Sequence, residues 1–168
     1  MEITPDRTYL AVATYQSIKF YDVMCKATHS IVNYEGVTKN VTSVGFNADG
    51  RWMYSGGEDG YCRVWDLKAP GQQCQKIWSA QSSVNTAFLH PNQYEIYFGD
   101  QNGRIYIWDL RANKAESILV DNDIIINHLN IEPEGNCLAC VDNRGNCYTF
   151  SLNLKYANNG NAMGVSGL

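Results

Sequence analysis

The chain has 168 residues, of which 13 are Lys or Arg and 17 are Asp or Glu, giving a formal net charge of −4 at pH 7. The basic residues are scattered singly, so no basic run is available to neutralise phosphates or anionic lipids. Purely aliphatic runs, such as Ile124 to Ile126, are far too short to cross a membrane. We therefore expect neither nucleic acid nor a membrane as the partner.

The N-terminus shows no basic segment followed by an apolar core, so we see no secretory signal and expect a cytoplasmic protein. Six cysteines occur along the chain. In a cytoplasmic chain they are expected to be reduced thiols that serve as small buried apolar residues.

A short motif repeats with a nearly constant period. Trp65-Asp66-Leu67 recurs as Trp108-Asp109-Leu110, with weaker copies at Tyr21-Asp22-Val23 and Phe150-Ser151-Leu152. Successive copies are 44, 43 and 42 residues apart. A period of this length is typical of propeller blades that contain four strands each.

Four units follow in chain order, at about residues 1–34, 41–80, 84–120 and 124–152. Short stretches rich in aromatic and β-branched residues alternate with turn signals such as Asp49-Gly50 and Asp59-Gly60. The sequence predicts an all-β protein, with incomplete first and last units. No alternating apolar pattern follows Leu152, so we expect no fourth strand there and a poorly ordered, Asn- and Gly-rich tail at residues 153–168.

The third strand of each unit indicates how the units pack. Its alternate positions are apolar in nearly every unit, whereas the intervening positions are Lys19, Arg63, Tyr106 and Tyr148. Such long side chains can cover a neighbouring sheet while their polar tips stay in water. Each sheet then has two faces to bury, and we expect neighbouring units to stack face to face.

These features resemble the WD-repeat β-propeller family. Within that family, the chain most resembles the small WD-repeat subunits of the target-of-rapamycin (TOR) kinase complexes, which are also called G protein beta-subunit-like proteins. The resemblance is carried by three segments: GVTKNVTSVGFNADGRWMYSGGEDGYCRVWDL, GDQNGRIYIWDL and Phe88 to Gln93. That resemblance implies a seven-bladed ring about twice as long. The chain would then be a partial one with about four consecutive blades, and its open sheet edges would favour aggregation.

The family's repeat often carries a hydrogen-bonded set of His, Ser, Asp and Trp. The second unit retains Ser55, Asp59 and Trp65, but Val37 stands where His is expected. We interpret Asp59 as structural. The positions that carry the repeat signature are Tyr21, Asp22, Ser55, Asp59, Trp65, Asp66, Trp108, Asp109 and Phe150.

Nothing in the sequence indicates catalysis, a metal or a cofactor. Cys137 and Cys140 have the C-x-x-C spacing of zinc sites, but residues three apart on a strand point to opposite faces. The histidines accompany no nucleophile motif, and residues 99–103 lack the Lys of a phosphate-binding loop. We expect a protein that is not an enzyme.

The resemblance implies a scaffold that binds the TOR kinase catalytic domain and stabilises it in both TOR complexes, alongside their other subunits, in growth and cytoskeletal signalling. One alternative is a substrate receptor of a cullin-type ubiquitin ligase, because Trp108-Asp109-Leu110-Arg111 has the W-D-x-R form of such receptors' docking box. Against it, Arg111 is interpreted as a rim residue whose stem packs on a neighbour. A truncated, non-functional fragment is the other alternative.

Propellers bind partners mainly through the loops at the two ends of the ring. The turns between second and third strands lie at the same end as the connectors between units, and the resemblance favours that end for partners. The partner-binding candidates are Tyr15, Gln16, Lys39, Asn40, Glu58, Asp59, Gln101, Asn102, Asn143 and Arg144.

Overall fold

The computed structural model describes residues 1–25, 29–152 and 165–167. Within these residues the regular structure is all β, and sixteen strands form four antiparallel sheets of four strands each. In each sheet the strands lie side by side in chain order, so every neighbouring pair is a hairpin. No helix in the described ranges has the length and apolar character needed to cross a membrane. The predicted all-β class is confirmed.

The first two sheets correspond to the first two sequence units. The first sheet contains β1 (Glu2–Ile3), β2 (Tyr9–Ala13), β3 (Ile18–Asp22) and β4 (Val32–Tyr34). The second contains β5 (Val41–Phe46), β6 (Trp52–Gly57), β7 (Tyr61–Asp66) and β8 (Cys74–Ser79). The first sheet is thus not missing a strand, although its outer strands have only two and three residues.

The other two sheets repeat the arrangement. The third contains β9 (Val84–Leu89), β10 (Glu95–Asp100), β11 (Arg104–Asp109) and β12 (Lys114–Leu119). The fourth contains β13 (Ile126–Ile131), β14 (Cys137–Asp142), β15 (Cys147–Ser151) and β16 (Val165–Gly167).

The expectation that no strand follows Leu152 is therefore wrong at one place. Val165–Gly167 pairs with β15 in register from Tyr148 to Phe150 and completes the fourth sheet. The exposed edge of β15 offers backbone N–H and C=O groups that a short segment can pair with, whatever its apolar pattern. The rest of the tail lies outside the described residues.

The Asp of the repeated motif has the same local role in three units. Oδ1 of Asp22, Asp66 and Asp109 accepts hydrogen bonds from the backbone N–H groups two and three residues later, at distances between 2.7 and 3.3 Å. A short carboxylate side chain stabilises a turn in this way because it satisfies N–H groups that the strand ladder leaves unpaired. The motif thus ends the third strand and starts the turn to the fourth.

Three apolar clusters join the sheets in succession, which confirms the predicted face-to-face stacking. The first lies between sheets one and two and includes Ile18, Phe20, Met53 and Trp65. The second lies between sheets two and three and includes Cys62, Val64, Phe98 and Trp108. The third lies between sheets three and four and includes Ile105, Ile107, Leu129 and Phe150.

The aromatic residue of the repeated motif faces the preceding sheet. Trp65, Trp108 and Phe150 are almost completely buried in their clusters, whereas Tyr21 is only half-buried. The indole Nε1 of Trp65 donates to the Ser55 hydroxyl at 2.9 Å, so its one polar group is satisfied inside the cluster. Each aromatic thus holds its own sheet to the one before it.

Two expectations about side chains are corrected. All six cysteines are free thiols, but Cys25, Cys74 and Cys147 are exposed and Cys137 is half-buried. Only Cys62 and Cys140 are buried, because they alone occupy positions that face a neighbouring sheet in the apolar clusters. The charged tip of Arg63, expected in water, is buried and paired with a carboxylate.

Candidate functional site

The candidate residues lie on loops that meet at one end of the sheets, which we call the connector end. It consists of the turns between the second and third strands of each sheet and the connectors at residues 35–40, 80–83 and 120–125. In three sheets the turn donates a backbone N–H to the connector. These hydrogen bonds join Glu58 to Asn40 at 2.9 Å, Gln101 to Ser83 at 3.1 Å and Asn143 to Ile125 at 3.1 Å.

Further hydrogen bonds tie one sheet to the next at this end. The Gln16 N–H donates to the Lys39 carbonyl at 3.0 Å, and the Gln16 side-chain amide donates to the Thr38 carbonyl at 3.0 Å. The Ser83 hydroxyl donates to the Glu58 carbonyl at 2.9 Å. The loops therefore form a hydrogen-bonded surface that spans several sheets, because each connector is held by the turns beside it.

Several candidate side chains are already used to hold this surface together. The Asn40 amide donates to Glu58 at 3.0 Å. The Asn143 side-chain oxygen accepts the Ile125 N–H at 3.0 Å, and the Arg144 guanidinium donates to the Asp123 carbonyl at 2.8 Å. These contacts stabilise loop geometry and leave less hydrogen-bonding capacity for a partner.

Three candidates present open side chains. Tyr15, Lys39 and Asn102 are exposed, and their side chains make no hydrogen bond or ion pair with the described residues. Tyr15 is 67% exposed although it is aromatic. Exposed aromatic residues are over-represented among the residues that dominate protein interfaces. Tyr15, Lys39 and Asn102 are therefore the best-placed contacts among the ten.

Asp59 is engaged in the interior of its own turn. Its two carboxylate oxygens accept hydrogen bonds from the Arg63 guanidinium at 3.1 and 2.7 Å, and from the backbone N–H groups of Thr38 and Tyr61 at 3.2 and 3.3 Å. Burial on its own raises the pKa of the Asp59 carboxyl, but the hydrogen bonds from Arg63 and Thr38 and the Arg63 charge lower it overall. This geometry favours the structural interpretation of Asp59.

Sequence reasoning missed two carboxylates with a similar role. Asp100 accepts the N–H groups of Asn102 and Arg104 at 2.9 Å each, and Asp142 accepts the corresponding N–H groups of its turn at 2.8 Å each. Both are buried. They lie two residues before the turn position that Asp59 fills in the second unit.

The change in position of the turn carboxylate can be found by aligning the units of the sequence. Asp100 and Asp142 align with Gly57, where an added Cβ would lie 2.9 Å from Oδ1 of Asp59. The Asp59 carboxylate therefore lies beside position 57, close to the place where a side chain at that position would begin. Asp59 reaches this place from the other side of the turn. The third and fourth units therefore supply a turn carboxylate from the end of the second strand.

An amide-rich groove of about 550 Å³ opens on the connector end between the third and fourth sheets. Its lining includes the amide side chains of Gln81, Gln101, Asn102, Asn122 and Asn143. Amides both donate and accept hydrogen bonds, so this groove can pair with the backbone of an extended segment. The groove offers recognition by hydrogen bonding rather than an arrangement of acid, base and nucleophile.

Comparison with known proteins identifies the repeat. Residues 28–66 match the WD40 family, described as WD domain, G-beta repeat. Residues 28–66 are thus a WD40 repeat. The four sheets of the chain are consistent with four blades of a WD40 propeller, and this architecture fits a non-enzymatic role.

Curated relatives of the chain include subunits of TOR complexes. It is 46% identical over 152 residues to target of rapamycin complex subunit LST8 of Bos taurus, covering 90% of this chain and 47% of the relative. It is 45% identical over 153 residues to subunit LST8-1 of Arabidopsis thaliana, covering 90% and 50%. For the LST8 homolog of Drosophila melanogaster the identity is 43% over 152 residues, covering 90% and 49%. The chain spans about half the length of the curated relatives it matches.

Arg111 of the W-D-x-R motif lies at the opposite end of the blades. Its side chain is exposed, and the guanidinium carbon lies 3.5 Å from the centroid of the Tyr94 ring. This stacking fits the interpretation of Arg111 as a rim residue. Nothing in its contacts singles out the docking box of a ubiquitin-ligase receptor.

Proposed function

We propose that this protein is a non-catalytic scaffold subunit of TOR complexes that binds and stabilises the kinase catalytic domain in the cytoplasm. The observation that carries the proposal is the 43 to 46% identity to LST8 proteins, which extends over 90% of the chain. The proposal includes both TOR complexes, and hence growth and cytoskeletal signalling, as the resemblance to this family implies.

The connector end is the proposed kinase-binding surface. Its backbone hydrogen bonds fix the loops, so little conformational freedom has to be lost when a partner binds. Tyr15 would supply an aromatic anchor, Lys39 a charge and Asn102 a hydrogen-bonding amide. The remaining candidates would contribute mainly by keeping these three in place.

Co-purification of the chain with a tagged TOR kinase catalytic domain tests the proposal. We expect Tyr15→Ala and Lys39→Glu to reduce the recovered chain severalfold, because each removes an open side chain from the surface. Tyr9→Ala and Lys114→Glu are matched controls, since both residues are exposed and lie outside the connector loops. Neither control should change recovery.

Two results would count against the proposal. If the unsubstituted chain is not recovered with the kinase domain, the scaffold function fails. If the chain is recovered but the connector-end variants behave like their controls, the scaffold function stands and the proposed surface is wrong.

A further inference from the structure

A second groove lies at the opposite end of the blades, between the second and third sheets, and brings together cations that are far apart in the sequence. We call it the basic groove. It encloses about 560 Å³, and its cationic lining consists of Arg51, Lys68, Lys76 and Arg111. The sequence separates these residues by up to 60 positions. A survey for basic runs therefore finds no anion-binding segment, although the fold creates a basic surface.

The basic groove also has an apolar floor. Val64 and Leu110 are buried there, and Trp52 is half-buried and lines the groove. On one wall the Arg111 guanidinium is stacked on the Tyr94 ring, which holds a long side chain in a defined position. An occupant can thus bury an apolar side chain between the blades while it meets charge at the rim.

Neighbouring carboxylates compensate part of this positive charge, because Asp49 interacts electrostatically with Arg51 and Lys68, and Asp109 with Arg111 and Lys76. The four cations still exceed the three carboxylates Asp49, Asp66 and Asp109 by one. Asp49 forms an ion pair with Arg51 at 3.2 Å. Asp66, which also lines the groove, uses Oδ1 to accept the backbone N–H groups of Lys68 and Ala69. No carboxylate of the described residues forms an ion pair with Lys68 or Arg111.

The part played by Lys76 is different, because its ammonium donates to the Leu110 carbonyl across the junction of the two blades. It holds the groove together while adding to its charge. Lys68 and Arg111, exposed at the rim, are the two cations most available to an occupant.

We propose that the basic groove binds an extended acidic segment of a partner protein, with one aromatic or aliphatic side chain seated between Trp52 and Leu110. The segment should be acidic because its charge then complements the cations of the groove. It should be a peptide rather than a polyanion without apolar groups, because a peptide can place an apolar side chain on the apolar floor. The groove is independent of the connector end, so the protein can hold this segment and a partner on its other end at the same time.

Fluorescence anisotropy of the whole chain with a short labelled peptide, made of Glu and Asp around one Phe, tests the proposal. Binding should weaken as salt rises, because the rim charges are exposed to screening. The double variant Lys68→Glu, Arg111→Glu should bind at least about tenfold more weakly. A peptide with Gln and Asn in place of the acids should bind as weakly as the double variant does.

Lys114→Glu is the matched control on the same blade. Lys114 adjoins Ala115, which packs into the cluster between the second and third sheets, so Lys114 points to the other face of β12. This change should leave peptide affinity unaltered. If the double variant has the same thermal unfolding temperature as the wild type, its fold is intact.

Three outcomes would overturn the inference: no saturable binding of the acidic peptide, equal affinity for its neutral counterpart, or equal losses in the double variant and in Lys114→Glu. Competition by duplex DNA as effective as by unlabelled peptide would also overturn it, because the groove would then bind polyanions in general.

Discussion

Arg63 and Asp59 form a bidentate ion pair inside the second sheet, with Nη2 to Oδ2 at 2.7 Å and Nη1 to Oδ1 at 3.1 Å. The two side chains are only 5% and 3% exposed. Arg63 donates to the turn carboxylate from the third strand, and Val37 stands where the WD-repeat signature leads us to expect His. We therefore expect the pair to do the structural task that the signature assigns to a histidine.

Replacing Arg63 tests that role. Arg63→Met keeps most of the stem but leaves the buried Asp59 carboxylate without its charge partner, so the free energy of unfolding should fall by about 3 kcal/mol. Urea denaturation measures the change. Arg104→Met, at a half-buried arginine outside any ion pair among the described residues, should cost less than about 0.5 kcal/mol. Equal losses in the two variants would contradict the assignment.

The position from which a blade supplies its turn carboxylate should be interchangeable between the second and third units. In the third unit Asp100, Asn102 and Tyr106 occupy the positions of Gly57, Asp59 and Arg63. The triple variant Gly57→Asp, Asp59→Asn, Arg63→Tyr should therefore be more stable than the double variant that keeps Gly57, because only the triple variant restores a buried acceptor for the turn N–H groups. Thermal unfolding of the two variants compares them, and a less stable triple variant would refute the equivalence.

Acid should weaken the fold through Asp59. Its carboxyl has a folded pKa below the ordinary value of 3.8, although burial alone would raise it, because the Arg63 and Thr38 hydrogen bonds favour the charged form. A lowered folded pKa means that the stabilisation is complete above the ordinary pKa and is lost as the pH falls through the folded pKa. Urea unfolding between neutral pH and about pH 3 should show a smaller loss for Asp59→Asn than for the wild type. Exposed Glu116→Gln should retain the wild-type slope.

The cysteines should divide into two reactivity classes. Cys62 is completely buried, and burial raises its thiol pKa; burial also raises the pKa of Cys140, to about 12. Because the thiolate is the reacting species, both should resist iodoacetamide in the native protein, whereas exposed Cys25 and Cys147 should react. Peptide mass spectrometry before and after unfolding in urea identifies the modified residues. Native labelling of Cys62 as fast as that of Cys147 would contradict the burial.

The sequence was sufficient for the repeat and the sheets because their signals are local. The period of Trp65 and Trp108, the alternation along each strand and the Asp-Gly turns all act within one hairpin. The stacking also followed, since a sheet with two apolar faces has to cover both. These features needed no knowledge of which distant residues meet.

The features that could not be predicted from the sequence depend on the exact position of a residue within a turn, on contacts between blades or on backbone pairing. Asp100 and Asp142 were missed because a carboxylate two residues away can reach the same space from the opposite side of the turn. The basic groove was missed because Lys68 and Arg111 meet only when two blades are docked. Val165–Gly167 was missed because backbone pairing to β15, rather than an apolar pattern, makes it a strand.

The three apolar clusters also have a kinetic consequence. Each cluster joins only two successive sheets of the described chain, so one junction can open while the others stay closed. Amide hydrogen exchange should then proceed in separable steps, blade by blade, instead of through a single cooperative opening. A substitution inside one cluster, such as Phe150→Ala, should accelerate exchange at its own junction and leave the amides around Trp65 protected.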